Sequence, residues 1–382
     1  MTRSHMASVI FRLVAAFLGV GLTALILPQG GAAATAADQA AQETQLGAQI
    51  SHGIESHYRV VSDPILVERI TRVGETLARV VERQDLTYHF KILDIPGVNA
   101  LSIPGGWVYV TIGMMKFVRT DDELAAVLAH ELTHVTHRHY YIQQQRQGAM
   151  LPTMIIAAAI SVLAGSPAPL LAGQTVTQGA MANYQRDLEK EADLTGVSYL
   201  MKTSYSPVAM LTLMEHLAQA EKLNAHPDLG IYQDHPYPDE RVAYIRADLI
   251  QLGVPIIRRI PEGYLKLTLD PPAPENDQPL TILVDGRPIL RLTASPQVRP
   301  PGERVKPVLA QLNAFFDTDP AAYDVRAVSL LDHWSVVGGQ HVLYEVAPQD
   351  AASAQMSPQA LAEDVRARLA QVISAAPYNR RF

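Results

Sequence analysis

The chain contains no cysteine. That excludes disulfides, thiolate metal sites, a thiol nucleophile and a lipid-anchored cysteine. Any transition metal must therefore be held by His, Asp or Glu. Basic charge is not in excess either. A formal net charge of -7 leaves no electrostatic footprint for nucleic acid, and none is expected as a partner. No repeat of solenoid length is visible, and the C-terminal part lacks helical-repeat signatures. Charged residues make up only 18% of the chain against 48% hydrophobic ones, the balance of an ordinary globular protein. At 382 residues the chain exceeds the usual single-core size, so two domains are expected.

An uncharged run lies near the start of the sequence. Arg3 and Arg12 precede Leu13 to Leu27, and the small-residue stretch Gly30 to Ala37 follows. A basic start, a short apolar core and Ala-x-Ala options ending at Ala34 or Ala36 predict a cleavable signal peptide over residues 1–36. The run is short for a membrane span, so cleavage and export are expected in place of an uncleaved anchor.

Beyond it, Gln39 to Arg83 predicts helix, with Ile65, Ile70, Val73, Leu77 and Val80 at helical spacing. Tyr88 to Ile95 alternates as a strand does, and Trp107 to Ile112 predicts a second strand after Pro104-Gly105-Gly106. Thr120-Asp121-Asp122-Glu123 is a capping box, and Leu124, Val127, Leu128, Leu132 and Val135 form the apolar stripe of the helix it opens. No charged residue occurs between Arg146 and Arg186. The apolar stretch 149–173 is expected to be a lid or an interfacial hairpin touching a membrane surface. Helices are expected over Asn183 to Lys202 and within Pro207 to Leu223.

Residues 271–279, rich in proline at their start, have the composition of a linker. Strands are expected at Leu280 to Val284 and Pro288 to Leu292 around a turn at Asp285-Gly286. A helix at Arg304 to Phe316, strands at Val325 to Leu331 and Gln340 to Val346, and a helix from Pro358 to Ser374 complete the pattern. It predicts a small two-layer α/β domain over 280–382, whose role and partner the sequence does not reveal.

The chemistry-bearing motif is His130-Glu131-Leu132-Thr133-His134. Residues four apart on a helix lie about 40° from each other and one turn along, so both imidazoles can reach one metal ion. Glu131 lies about 100° round from His130, where its carboxylate can address a water at the metal instead of ligating it. Ligands for the ion and a base for the water's proton are what metal-assisted hydrolysis requires. In Leu188-Glu189-Lys190-Glu191-Ala192-Asp193, Glu189 and Asp193 share a helical face, whereas Glu191 points away and reads as a solvated charge. Glu189 can then be the third ligand, and Asp193 can orient a ligand histidine. Two His and one Glu with an open position is a catalytic zinc set, so one zinc ion per chain is expected. His137 lies one turn beyond the pair, His139 on the opposite face, and neither is taken as a ligand.

These motifs resemble the M48 family of zinc metallopeptidases. The matching residues are Asn99-Ala100, Pro104-Gly105-Gly106, His130 to His134, Glu189-x-x-Ala192-Asp193 and His235-Pro236-x-Pro238-x-x-Arg241, in the family's order. The chain is similar to the soluble periplasmic branch of the family more than to its multi-span branch. The resemblance implies a mainly helical α+β zincin-type domain with a small sheet over 37–270, ahead of the α/β domain. It also implies a zinc endopeptidase acting on polypeptide substrates, misfolded envelope proteins among them, with Glu131 as base and Glu189 as third ligand. His235 is expected to latch the zinc or to stabilise the transition-state oxyanion, and Arg241 to brace it, to brace the ligand carboxylate or to bind substrate backbone. The strand at Trp107, with Gly105 and Gly106, is expected to receive an extended substrate along its edge. The competing reading is a latched envelope chaperone or assembly factor that acts by client binding.

Overall fold

The computed structural model describes residues 36–147, 156, 159–160, 178–223, 238–272, 277–294, 299–330 and 333–376. The chain divides into two compact units, Met1–Gln39 and Ala40–Phe382. From Ala40 onward the described architecture is mainly helical α+β, with three small sheets.

Two helices, α1 (Ala36–His57) and α2 (Pro64–Ala78), replace the continuous helical stretch expected up to Arg83. The break is local chemistry. Asp63 accepts hydrogen bonds from the backbone N–H groups of Ile65 at 2.9 Å and Leu66 at 3.2 Å, and Pro64 has its φ pre-set for the first helical position. Between the helices, Val60 bridges to Leu93. Ile70, Val73 and Leu77 are buried on one stripe of α2, but Ile65 is 75% exposed and lies off it.

The first sheet contains β1 (His89–Leu93), β2 (Ala100–Ile103) and β3 (Trp107–Thr111) in the order β1-β3-β2. β3 is central, parallel to β1 and antiparallel to β2. Both of its backbone edges are therefore taken, and it cannot receive a substrate strand as expected. β2 escapes a sequence reading because four residues between Asn99 and Pro104 are too few to show alternation. Gly105 (φ 80°) and Gly106 (φ 90°) turn the chain from β2 into β3. A Cβ on Gly106 would stand 2.4 Å from the Thr87 carbonyl oxygen, and one on Gly47 of α1 would stand 2.0 Å from that of Pro104. The glycines thus have a packing task. The Trp107 ring likewise stacks on His89 at 4.0 Å and lies under the Lys91 ammonium at 4.8 Å.

α3 (Ile112–Phe117) leads into α4 (Asp121–Thr136), which runs through the main core. Its Leu124, Val127, Leu128 and Leu132 pack with Val73 and Leu77 of α2 and Val108 of β3. The same cluster takes in α6 (Gln178–Met201) through Leu200 and α7 (Val208–Leu223) through Leu211. The N-terminus of α4 is capped in a variant of the expected box. Thr120 Oγ accepts from the Glu123 N–H at 3.3 Å, but the Glu123 carboxylate takes the N–H of Arg119, not that of Thr120, at 2.9 Å. α5 (His139–Gln147), α8 (Pro238–Gln251) and the short α9 (Arg259–Glu262) complete this part.

A second cluster, with Ile282, Phe315, Phe316, Val336 and Leu369, organises the C-terminal part. β4 (Leu267–Asp270), β5 (Leu280–Val284) and β6 (Arg287–Leu292) form one antiparallel sheet. β7 (Val325–Leu330), β8 (His333–Gly338) and β9 (His341–Glu345) form the other. α10 (Pro301–Phe316), α11 (Pro348–Ser353) and α12 (Pro358–Ala375) pack against them. β4 and β8 add to the expected strands, and β4 pairs with β5 across the proline-rich stretch.

Among the described residues, no helix is long and apolar enough to cross a membrane. Of 149–173, only Ile156, Ala159 and Ile160 are described. Ile156 and Ala159 pack on Ile50 and Ile54 of α1, and the Tyr58 hydroxyl donates to the Ile160 carbonyl at 2.9 Å. The remainder of the expected lid or hairpin lies outside the described residues.

Candidate metal centre

Three helices supply the site. α4 carries His130, Glu131 and His134, α6 carries Glu189 and Asp193, and α8 carries Arg241 and Tyr244. The four-residue spacings on α4 and α6 put each pair on one face. Gly196 of α6 faces α4 and α7: a Cβ there would meet the Met210 side chain at 2.6 Å and the backbone nitrogen of His130 at an ordinary contact distance of 3.4 Å.

The three expected ligands converge. Nε2 of His130 and of His134 are 3.1 Å apart, and the Glu189 carboxylate oxygens lie 3.4 Å from the first and 3.6 Å from the second. Four donors placed tetrahedrally at zinc-like distances would be about 3.3 Å apart, so the donor set fits a single cation. The electrostatics agree. Burial alone would push the His130 pKa down, yet hydrogen bonds to Asp193 and Glu189 outweigh it and hold the pKa up at about 9. The pocket therefore favours positive charge at its centre. Glu131 follows His130 on the same helix and is buried.

Behind these donors lies an ion-pair array. His130 Nδ1 donates to Asp193 Oδ1 at 2.9 Å, which leaves Nε2 to face the centre. Arg241 donates to Asp193 from Nε at 2.9 Å and Nη2 at 2.7 Å, and its Nη1 lies 3.3 Å from Glu189 Oε2. The Tyr244 hydroxyl also donates to Asp193. Burial would raise the Asp193 pKa, but the Arg241 charge and the His130 bond hold it down at about 2. Asp193 is fully buried, and the nearby Lys190 ammonium lies over the Tyr244 ring at 5.5 Å. His235 lies outside the described residues.

Two expectations about the neighbouring residues need correction. His139 does not point to the opposite face. α4 ends at Thr136, and Arg138 adopts a left-handed φ of 57°, so helical phase no longer applies. The chain turns back and sets His139 Nδ1 2.8 Å from His134 Nδ1. Glu191, expected as a solvated charge, bonds His137 Nδ1 at 2.6 Å while staying about half exposed. The sequence carries no motif signal for Tyr244 beyond its place three residues after Arg241, which puts it on the same face of α8.

A model of peptidase family M48 matches residues 64–248, and a domain of unknown function (DUF8459) matches residues 279–376. The beta-barrel assembly-enhancing protease of Escherichia coli (strain K12) is 26% identical over 246 residues, 63% of this chain and 50% of that protein. The chain thus spans about half the length of that relative. Metalloprotease LoiP of Escherichia coli (strain K12) is 28% identical over 220 residues, 58% of this chain and 81% of LoiP. Metalloprotease YcaL of the same organism is 30% identical over 184 residues, 47% of this chain and 68% of YcaL. The aligned stretch contains the helices that carry His130, Glu189 and Arg241, and on this likeness the chain belongs to peptidase family M48.

Proposed function

We propose that the chain is an exported zinc endopeptidase that hydrolyses peptide bonds of polypeptide clients, unfolded envelope proteins among them. The observation that carries this reading is the convergence of His130, His134 and Glu189 in front of the Asp193–Arg241 pair. Two imidazoles and one carboxylate suit zinc. When bound, the ion supplies Lewis acidity and makes water a nucleophile near neutral pH.

The chain's own groups do the rest. Asp193 fixes the His130 tautomer, and Arg241 keeps Asp193 ionised and holds Asp193 and Glu189 in place. Glu131 takes the proton of the attacking water and passes it to the departing amine. β2 lies at the edge of its sheet and packs against α4, so it replaces β3 as the strand onto which an extended substrate adds. His235 serves as a reversible latch on the bound metal. Residues 1–36 serve as the export signal, and the C-terminal part, which begins with β4, contributes none of the proposed metal ligands.

Casein digestion tests the reading. Cleavage is expected to cease when the protein is treated with a chelator and to return on adding one equivalent of zinc. Undiminished cleavage by metal-free protein would rule the reading out.

A further inference from the structure

Beside the proposed zinc ligands, a second group of ligating side chains converges among the described residues: His137, His139 and Glu191. We propose that these three form a second, inhibitory site for a divalent transition cation, whose occupation opposes metal binding at His130, His134 and Glu189. The site itself stands on its own geometry, and its inhibitory effect rests on the peptidase reading.

The geometry has three parts. Glu191 accepts from His137 Nδ1 at 2.6 Å with one oxygen and presents the other 3.6 Å from His139 Nε2. The candidate ligand atoms of the three residues all lie within 4.8 Å of one another. His139 is only 2% exposed in its side chain, and its Nε2, aimed at Glu191, has no hydrogen-bond partner. Leaving such a ring nitrogen buried and unpaired is costly, and a cation at this point would supply the missing partner. His137 is also the C-cap of α4, where the carbonyl end of the helix favours positive charge. Glu191 is 48% exposed, so the site is open to solvent ions. Imidazole with carboxylate suits zinc, copper or nickel more than calcium or magnesium.

The antagonism follows from counting protons across one contact. His134 turns Nε2 toward His130 and Glu189, so metal there leaves its proton on Nδ1. That proton is donated to His139 Nδ1, 2.8 Å away. Neutral His139 then carries its own proton on Nε2. A cation taking His139 Nε2 moves that proton to Nδ1, where it meets the Nδ1–H of His134. Two donors then face each other with no acceptor between them. The conflict ends if metal leaves His134, since its Nε2 can take the proton and its Nδ1 become the acceptor. Metal at either site thus weakens binding at the other.

The experiment titrates metal-free full-length protein with zinc alone, read by competition with a chromophoric chelator. Wild type is expected to take two equivalents, one tight and one weaker. His137→Ala and Glu191→Gln should each lose the weaker equivalent and keep the tight one. Glu189→Gln should lose the tight one and bind the remaining ion more firmly than wild type binds its second. Zinc beyond the first equivalent should suppress casein cleavage by wild type and not by His137→Ala. A single equivalent in wild type, or a second one unmoved by both variants, overturns the site. Equal affinity of that second equivalent in wild type and Glu189→Gln overturns the antagonism. A protein that cleaves no casein at any zinc level refutes the peptidase reading and the inhibition together, and the titration still decides the site.

Discussion

Asp193 and Arg241 meet through two hydrogen bonds, 2.9 Å from Nε and 2.7 Å from Nη2, with both side chains buried. One residue comes from α6 and the other from α8, so the pair ties together two elements far apart in sequence. The same carboxylate holds the His130 ring at 2.9 Å. Fold stability and ligand orientation therefore depend on one contact.

Removing either partner should damage both. Arg241→Ala leaves Asp193 and Glu189 without their counter-ion, and breaking a buried pair on one side costs about 3–5 kcal/mol. Denaturation midpoints measure that loss. Asp193→Asn keeps the shape but weakens the hold on His130, so zinc affinity should fall about 10–100-fold. Unchanged affinity in Asp193→Asn would show that the contact does not orient the ligand.

Glu189 and Glu191 are two residues apart and should behave oppositely. Glu189→Gln should abolish the tight zinc equivalent, since Glu189 faces both Nε2 atoms. Glu191→Gln should retain it, because Glu191 faces His137 and His139 instead. Metal analysis after dialysis distinguishes them, and the reverse order of loss would reassign the third ligand.

His216 gives a pH signature away from the metal centre. It lies buried with Nδ1 2.9 Å from Glu123 and Nε2 3.4 Å from Glu262, and Arg119 meets Glu262 at 2.9 Å. Burial would lower the His216 pKa, but the bonds to Glu123 and Glu262 raise it overall, against a smaller opposing effect of Arg119. A raised folded pKa stabilises fully below the unfolded value of about 6.5, and that contribution fades as pH rises through the folded value. The stability gap between wild type and His216→Gln should therefore be widest near pH 6 and narrow toward alkaline pH. A gap that widens with pH would contradict the assignment.

Gly47→Ala should destabilise the contact between α1 and the turn before β3. Its Cβ would meet the Pro104 carbonyl oxygen at 2.0 Å, a backbone atom that cannot rotate away. Overpacking of this kind costs about 1–3 kcal/mol, seen as a lower melting temperature. An unchanged melting temperature would mean that α1 shifts freely.

Much of the site is legible in the sequence because helical periodicity carries it. His130 with His134, and Glu189 with Asp193, are spacings within one helix, and the phase of each helix decides which side chains meet. Legibility ends where a helix ends. His139 departs from the helical expectation because the periodicity does not extend past Thr136, across the left-handed turn at Arg138. Strand order was also hidden. Nothing in Trp107 to Ile112 reveals that β1 and β2 flank β3, since pairing is decided by residues distant in sequence. The break at Asp63-Pro64 was readable from its cap and proline, but the apolar spacing on either side masked it.

We assign Glu131 the role of base and His130, His134 and Glu189 the role of holding the metal. Glu131→Gln separates these roles in one preparation, because it removes the base and no ligand. Zinc content and casein cleavage are measured on the same purified sample. One tightly held zinc per chain, as in wild type, is expected, with cleavage lost. Cleavage at the wild-type rate by zinc-loaded Glu131→Gln protein would contradict it.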